Sequence, residues 1–365
     1  LGDVYKRQVI GTRGIPDILG GVETHCQELY PRIAAMGHDV TVIRRSSYIT
    51  DDKRMSEYRG VRLVDVYAPR RKSVEAIVHT FLAVFKARSL KPDVLHIHAI
   101  GPALLTPLAR LMGMKVVMTN HGPDYDRQKW GRLAKTVLKA GQSMGTRFAN
   151  RVIVISTTIA GILADKYGRN DTDLIFNGVT PPVISGRRYW LDRWGIDKPY
   201  IVAIGRFVRE KGFHDLIEAF GKSGLAATHR LVIAGDADHE DDYSKALKAQ
   251  AKAAGVVLTG FIKGEPLTQL MAAAELFVLP SYHEGLPISL LEAMSYGLDV
   301  VVSDIPANRL PQLDGEDFFA PGDTDALASK LNEKILRGQR RRTYDLAPYD
   351  WDNIARQTIE VYKNL

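Results

Sequence analysis

Apolar, strand-like runs alternate with amphipathic, helix-like runs along nearly the whole chain, and the alternation starts afresh past its midpoint. Strands are expected at 39–44, 93–98, 115–119 and 151–156, with helices at 21–36 and 74–89 between them. A second series begins at 199–205 and continues at 230–235, 256–259, 276–279 and 300–303. Strand–helix–strand alternation calls for parallel sheets with helices on both faces. Between the series, Thr180-Pro181-Pro182-Val183-Ile184-Ser185-Gly186 has the prolines and glycine of a linker. The 365 residues are too many for one ordinary domain and enough for two with cores of their own. The expected fold class is therefore α/β, with two Rossmann-like doubly wound domains facing a cleft. The first spans 1–183 and the second 184–348, followed by an amphipathic helix over 349–365.

Composition narrows the class. Hydrophobic residues at 45% and charged residues at 25% are ordinary for a soluble globular protein. The one cysteine, Cys26, excludes an internal disulfide framework and fits a reducing compartment such as the cytoplasm. No apolar run is long enough to cross a bilayer. The net charge of +7 is unevenly spread. Arg127, Lys129, Arg132, Lys135, Lys139 and Arg147 share one stretch without an acid between them. That stretch suits a solvated helix face, or attraction to an anionic membrane surface or a lipid pyrophosphate, with the protein peripheral on the inner face. No nucleic-acid recognition motif accompanies it. The start is unusual: Leu1 to Gln8 is mostly polar, and only Val9-Ile10 precedes Gly11. It has no apolar signal-peptide core. It is expected to replace part of the first strand and to leave that strand poorly packed.

The chemistry concentrates in Glu284-Gly285-Leu286-Pro287-Ile288-Ser289-Leu290-Leu291-Glu292. Glu284 follows a strand closed by Pro280, and Glu292 lies inside the next helix, so both belong to the carboxyl end of a parallel sheet, where ligands bind. Acceptors at two depths beside a helix N-terminus suit a ligand with hydroxyls at both ends and an anion between them. Upstream, Gly205-Arg206 ends another strand, and Lys211 comes five residues later, so both cations can reach one anion. Gly20-Gly21 opens a helix, where bare backbone amides can meet a phosphate. Gly11-x-x-Gly14 is not the dinucleotide fingerprint.

These pieces, with Thr119-Asn120-His121-Gly122 and Asn177-Gly178-Val179 in the same order, resemble the retaining glycosyltransferases of the GT4 type, which have the GT-B fold. The resemblance covers nearly the whole chain. It implies a nucleotide-diphosphate sugar as donor and a hydroxyl acceptor, whether glycan, lipid-linked glycan or small molecule. It implies that Arg206, Lys211, Gly20 and Gly21 hold the donor diphosphate, with Gly285, Leu286, Pro287 and Ile288 beside it. Glu284 would bind the transferred sugar, Glu292 the ribose, and His121 a sugar hydroxyl or the region of C1. His98, Asp124, Tyr125 and Arg127 would line the acceptor side, and the last helix would cross back to the first domain.

No cofactor is expected. Asp236-Ala237-Asp238 resembles a metal-binding acidic triplet, yet Arg206 and Lys211 are available for the diphosphate, so no metal is required. His96 and His98 point to one face of a strand and are expected to be a structural pair. Two rival readings share the architecture: a nucleotide-sugar 2-epimerase, which would turn over donor alone, and a non-catalytic nucleotide-sugar-binding subunit.

Overall fold

A computed structural model describes residues 5–70, 74–123, 131–184, 186–238, 240–338 and 340–365. The chain forms two compact units, one of Leu1–Gly178 with Tyr349–Leu365 and one of Val179–Pro348. Pro181 and Pro182 thus fall just inside the second unit, and the last helix belongs to the first.

In the first unit the strands are β1 (Lys6–Ile10), β2 (Asp39–Arg45), β3 (Glu57–Tyr58), β4 (Val61–Val66), β5 (Val94–His98), β6 (Val116–Asn120), β7 (Arg151–Val154) and β8 (Asp173–Leu174). They form one sheet in the order β3-β4-β2-β1-β5-β6-β7-β8. Only the β3–β4 pair is antiparallel. The helices are α1 (Gly21–Ala35), α2 (Glu75–Ser89), α3 (Thr106–Leu111), α4 (Arg132–Phe148), α5 (Thr157–Tyr167) and the terminal helix (Trp351–Lys363). The terminal helix packs Trp351, Ile354, Ala355, Ile359 and Tyr362 into the core shared by Leu29, Tyr30 and Ile33 of α1 and by Val9, Val40 and Val42.

The second unit carries β9 (Tyr200–Ile204), β10 (Arg230–Ala234), β11 (Val257–Gly260), β12 (Leu276–Leu279), β13 (Asp299–Ser303) and β14 (Phe318–Phe319). Their order is β11-β10-β9-β12-β13-β14, with all pairs parallel. Helices α6 (Tyr189–Arg193), α7 (Phe213–Ser223), α8 (Asp242–Ala253), α9 (Glu265–Ala273), α10 (Ile288–Ser295) and α11 (Thr324–Leu336) complete it. Central strands such as β12 and β13 are wholly buried and therefore wholly apolar in their middles, as sheets covered on both faces require. In each sheet the strand order reverses once, between β1 and β5 in the first and between β9 and β12 in the second. Loops leaving adjacent strands in opposite directions open a crevice there.

The expected defect in the first strand takes a different form from a missing strand. β1 pairs with β2 on one side and β5 on the other, through Val9↔Val42 and Val9↔His96. Its polar residues are buried instead: Arg7 is 0% and Gln8 3% exposed. Arg7 Nη1 donates to the Tyr5 carbonyl at 2.9 Å, and the guanidinium lies 4.9 Å from the Tyr362 ring centroid. Arg7 Nε and Nη2 and Gln8 Oε1 find no hydrogen-bond partner among the described residues. Burial pushes the Arg7 guanidinium below its ordinary pKa. Unpaired buried polar groups cost about 1–3 kcal/mol, more when charged. Replacing Arg7 by leucine is therefore expected to stabilise the first unit by about 1–3 kcal/mol in urea melts; a lower melting midpoint would show that the stacked guanidinium contributes more than its unpaired nitrogens cost.

Candidate active site

In the second unit the switch point between β9 and β12 gathers most of the residues singled out by sequence. Gly205 follows β9, and its N–H bonds to the Ala234 carbonyl at 3.0 Å. A Cβ on Gly235 would lie 1.8 Å from the Gly205 carbonyl oxygen, and the Gly235 N–H donates to the Gly260 carbonyl at 2.9 Å. The ends of β9, β10 and β11 therefore meet backbone to backbone. After the turn at Arg209–Lys211, Gly212 takes φ +66, where a Cβ would lie 2.2 Å from the Pro280 carbonyl oxygen. The Tyr282 N–H donates to the Glu210 carbonyl at 2.8 Å. These contacts clamp the loop after β9 against the loop after β12.

The clamp sets Lys211 beside Glu284. Lys211 Nζ donates to Glu284 Oε1 at 2.6 Å, and Ser281 Oγ donates to the same oxygen at 2.6 Å. The side chains are 18% and 10% exposed, so the pair is largely shielded from water. The aliphatic stem of Lys211 lies over Gly205, 3.4 Å from where a Cβ would stand. Arg206 Nη1 meets Asp238 Oδ2 at 2.9 Å. The two cations expected to be available for one anion are thus each held by a carboxylate, as half-buried charges must be when nothing else neutralises them. Asp236 of the acidic triplet pairs with Lys248 at 2.9 Å. Both acids of that triplet therefore serve cations.

Helix α10 begins three residues after Gly285. Pro287 is its N-cap and offers no side-chain cap. Proline also has no N–H, so Pro287 fixes the entry angle while the amides of neighbouring residues carry the positive end of the helix. Leu286 is 5% exposed and anchors the turn in the core. Glu292 is half-buried, just past the first turn of α10.

The first unit assembles a different chemistry at its own switch point. A Cβ on Gly11 would lie 2.1 Å from the His98 carbonyl oxygen, so the loop after β1 passes directly against the end of β5. Gly20 has φ +149 and precedes α1, and the Glu23 carboxylate accepts from the Arg13 N–H at 2.9 Å, tying the helix start to the loop. Gly21 opens α1 with no side-chain cap and open space around it. His121 follows β6 in a turn where the Gly122 N–H donates to Asn120 Oδ1 at 2.9 Å. Its Nε2 lies 2.9 Å from His98 Nδ1. His98, expected on the acceptor side, is fully buried and touches His121 and the Tyr30 hydroxyl. His96 stacks on His98 at 4.3 Å between ring centroids and bonds to the Tyr362 hydroxyl at 2.6 Å and to Thr119 Oγ1 at 2.7 Å. Asp124, Tyr125 and Arg127 lie outside the described residues.

Sequence reasoning missed His25. It projects from α1, and its Nδ1 is 2.9 Å from Asn177 Oδ1. Burial is the main reason these rings stay neutral: His25 is pushed down to about 4 and His96 to about 3, with His98 and His121 also well below the usual histidine range. No spacing rule links positions 25, 98 and 121, because they come from three different crossovers.

Comparison with known proteins agrees with this architecture. The model of Glycosyltransferase Family 4 matches residues 19–181, and that of Glycosyl transferases group 1 matches residues 198–336. An uncharacterized glycosyltransferase of Methanocaldococcus jannaschii, MJ1607, is 28% identical, with 95% of each chain covered. The glycogen synthase of Mycobacterium tuberculosis is 27% identical over 95% of this chain and 92% of its own. Among solved structures, Anabaena Alr3699/HepE in complex with UDP-glucose superposes with a TM-score of 0.79 at 20% identity, covering 99% of this chain and 100% of the other. With two parallel α/β units, the ordered motifs and both family models in register, the chain is a glycosyltransferase of family 4, group 1, with the GT-B fold.

Proposed function

We propose that the protein is a retaining glycosyltransferase that moves a hexose-type sugar from a nucleotide-diphosphate donor to a hydroxyl acceptor, in the synthesis of a polysaccharide or glycolipid. The observation that carries this reading is the Lys211–Glu284 pair across the β9–β12 switch point, beside the open N-terminus of α10. Breaking the bond between the sugar C1 and the diphosphate puts positive charge on the sugar and negative charge on the leaving group. Fixed cations and amide dipoles must meet the second, and a carboxylate the first. Lys211 and Glu284 offer one of each at 2.6 Å. When a diphosphate arrives, Lys211 turns to its oxygens with Arg206, and Glu284 is released toward the sugar hydroxyls. The amides around Leu286 and Ile288 add the helix dipole, and Glu292 accepts from the ribose. The loops at Gly235 and Gly260 enclose the base. His121 donates to a sugar hydroxyl, and the amides of Gly20 and Gly21 assist at the phosphate. UDP-glucose, bound by the HepE relative, is the first donor to try.

The charge needs of this step are met by side chains, so transfer is expected to proceed in excess chelator. Thermal melts with a panel of nucleoside diphosphates identify the base, since a ligand bound only to the native state raises the melting point. Lys211→Ala is expected to lower kcat about 100-fold, the loss typical of one preorganised charge-stabilising donor. A near-wild-type kcat in a variant that still melts cooperatively would remove Lys211 from this role. Epimerised donor in the absence of acceptor would favour the 2-epimerase; binding with no turnover under any acceptor would favour the non-catalytic subunit.

The first unit also supports peripheral contact with an anionic membrane. Ile77, Phe81, Leu82 and Phe85, with Val74 just before the helix, make the outer face of α2 apolar and exposed, and Lys86 and Arg88 flank them. Arg88 Nε donates to the Met112 carbonyl at 2.9 Å, joining α2 to the end of α3, where Leu111 is 86% exposed beside Arg110. Leu133, Arg132 and Lys139 are exposed on α4. Among described residues between 76 and 149, Asp93 is the sole acid. An apolar helix face bordered by cations inserts into a headgroup layer, each cation adding about 1 kcal/mol on an anionic surface. Among described residues no helix is long and apolar enough to cross the bilayer. Vesicles rich in phosphatidylglycerol are expected to carry the protein in flotation, while phosphatidylcholine vesicles do not, and Phe81→Ser with Phe85→Ser should abolish the effect. Equal flotation with both vesicle types, or no change in the double variant, would refute a lipid-facing α2.

A further inference from the structure

His25, His98 and His121 come from α1, β5 and the loop after β6, yet one ring nitrogen from each lies within 4.8 Å of the others. The ring centroids are 5.4, 5.0 and 5.2 Å apart, so the rings surround a common point nearly evenly. Polar partners fix two of the rings from behind. Asn177 Oδ1 only accepts, so the proton of His25 sits on Nδ1 and its Nε2 keeps a lone pair. Tyr30 takes His98 Nε2, leaving Nδ1 turned toward His121. Tyr30 is itself held by His96 Nδ1 at 3.0 Å. Metal-binding imidazoles are oriented in this way, with the other nitrogen bonded to a fixed polar group.

We propose that these three histidines form a binding site for a divalent transition-metal ion of the zinc type. Imidazole without carboxylate favours zinc, cobalt, nickel or copper over magnesium and calcium. Ring nitrogens at about 2.0–2.1 Å from zinc stand about 3.3 Å apart in a tetrahedron. The present 2.9 Å between His98 Nδ1 and His121 Nε2 must open slightly, and His25 must turn inward, since the three nitrogens lie within 4.8 Å of one another. His121 is half-buried while the other two are closed off, so the ion enters on its side. An ion held there engages His121 and inhibits transfer; this second part rests on the role given to His121 above.

The tag-free full chain, stripped with chelator, is titrated with cobalt(II) and then zinc. The expected result is one equivalent of cobalt with the intense visible bands of a four- or five-coordinate nitrogen site, displaced by zinc and indifferent to magnesium. His25→Gln should remove the bands, and Asn177→Ala, which leaves the ligands in place, should weaken binding about 10- to 100-fold by loosening His25. Should these variants fail to fold, zinc added to the wild-type chain must still move the NMR signals of His25, His98 and His121 and leave His79 unchanged. A spectrum that stays that of hexaaqua cobalt, or equal binding by a folded His25→Gln chain, would overturn the site. Zinc that binds at these three rings without slowing transfer would overturn the inhibitory part alone.

Discussion

At or next to the switch point of each sheet the backbone passes another backbone too closely to admit a Cβ. A side chain at position 11 would meet the His98 carbonyl at 2.1 Å, one at 235 the Gly205 carbonyl at 1.8 Å, and one at 212 the Pro280 carbonyl at 2.2 Å. Gly11, Gly212 and Gly235 also hold positive φ, which other residues resist. These contacts lock the loops that follow neighbouring parallel strands. The polar groups on those loops then stand at fixed separations without any help from a ligand. A chain with alanine at 212 could still form its strands, but Lys211 and Glu284 would lose the clamp that holds them together.

The two units use that rigidity for opposite electrostatic ends. The candidate site of the second holds its charges in pairs, Lys211 with Glu284 and Arg206 with Asp238. Its deeper ion cluster is structural: Lys334 joins Asp299 and Asp317 at 2.9 and 2.7 Å and fastens α11 to β13 and to the turn before β14. The first unit gathers rings and hydroxyls, His25, His96, His98, His121, Tyr30 and Tyr362, whose charged forms burial disfavours. A cation that leaves its carboxylate for an anion leaves that carboxylate in need of another donor, which Ser281 Oγ supplies for Glu284. Neutral imidazoles can donate, accept or hold a metal without that exchange.

Much of this could be read from the sequence because local pattern and tertiary fold agree. The strands at 276–279 and 300–303 are continuous apolar runs, and the Gly-Arg-Phe-x-x-Glu-Lys-Gly segment shows its turn and its charges together. What escaped has physical reasons. β4, with Asp65 bonded to Arg44 at 2.7 Å, alternates charge with apolar residues and lacks the signature of a fully buried strand. β1 looks too polar for the middle of a sheet, yet its backbone pairs on both sides while its side chains bear the cost. The partner of Arg206 was hidden because Asp238 lies on another crossover, where it reads as half of an acidic triplet. His25 was invisible for the same reason: burial and ring packing belong to the assembled unit.

The Asn177-Gly178 pair shows how a family motif can mark structure rather than substrate. Asn177 holds His25 from behind, and a Cβ on Gly178 would stand 2.4 Å from the indole of Trp351. The terminal helix seats that indole 5.5 Å from the His25 ring, and its Tyr362 bonds to His96. Residues from the two ends of the first unit's sequence thus bracket one histidine cluster, and the motif between them keeps both in place. A substitution at Gly178 acts on His25 through Trp351. Loss of transfer on changing such a residue reports the position of the rings, so a motif's fixed presence in the chain is by itself no sign that it touches the sugar.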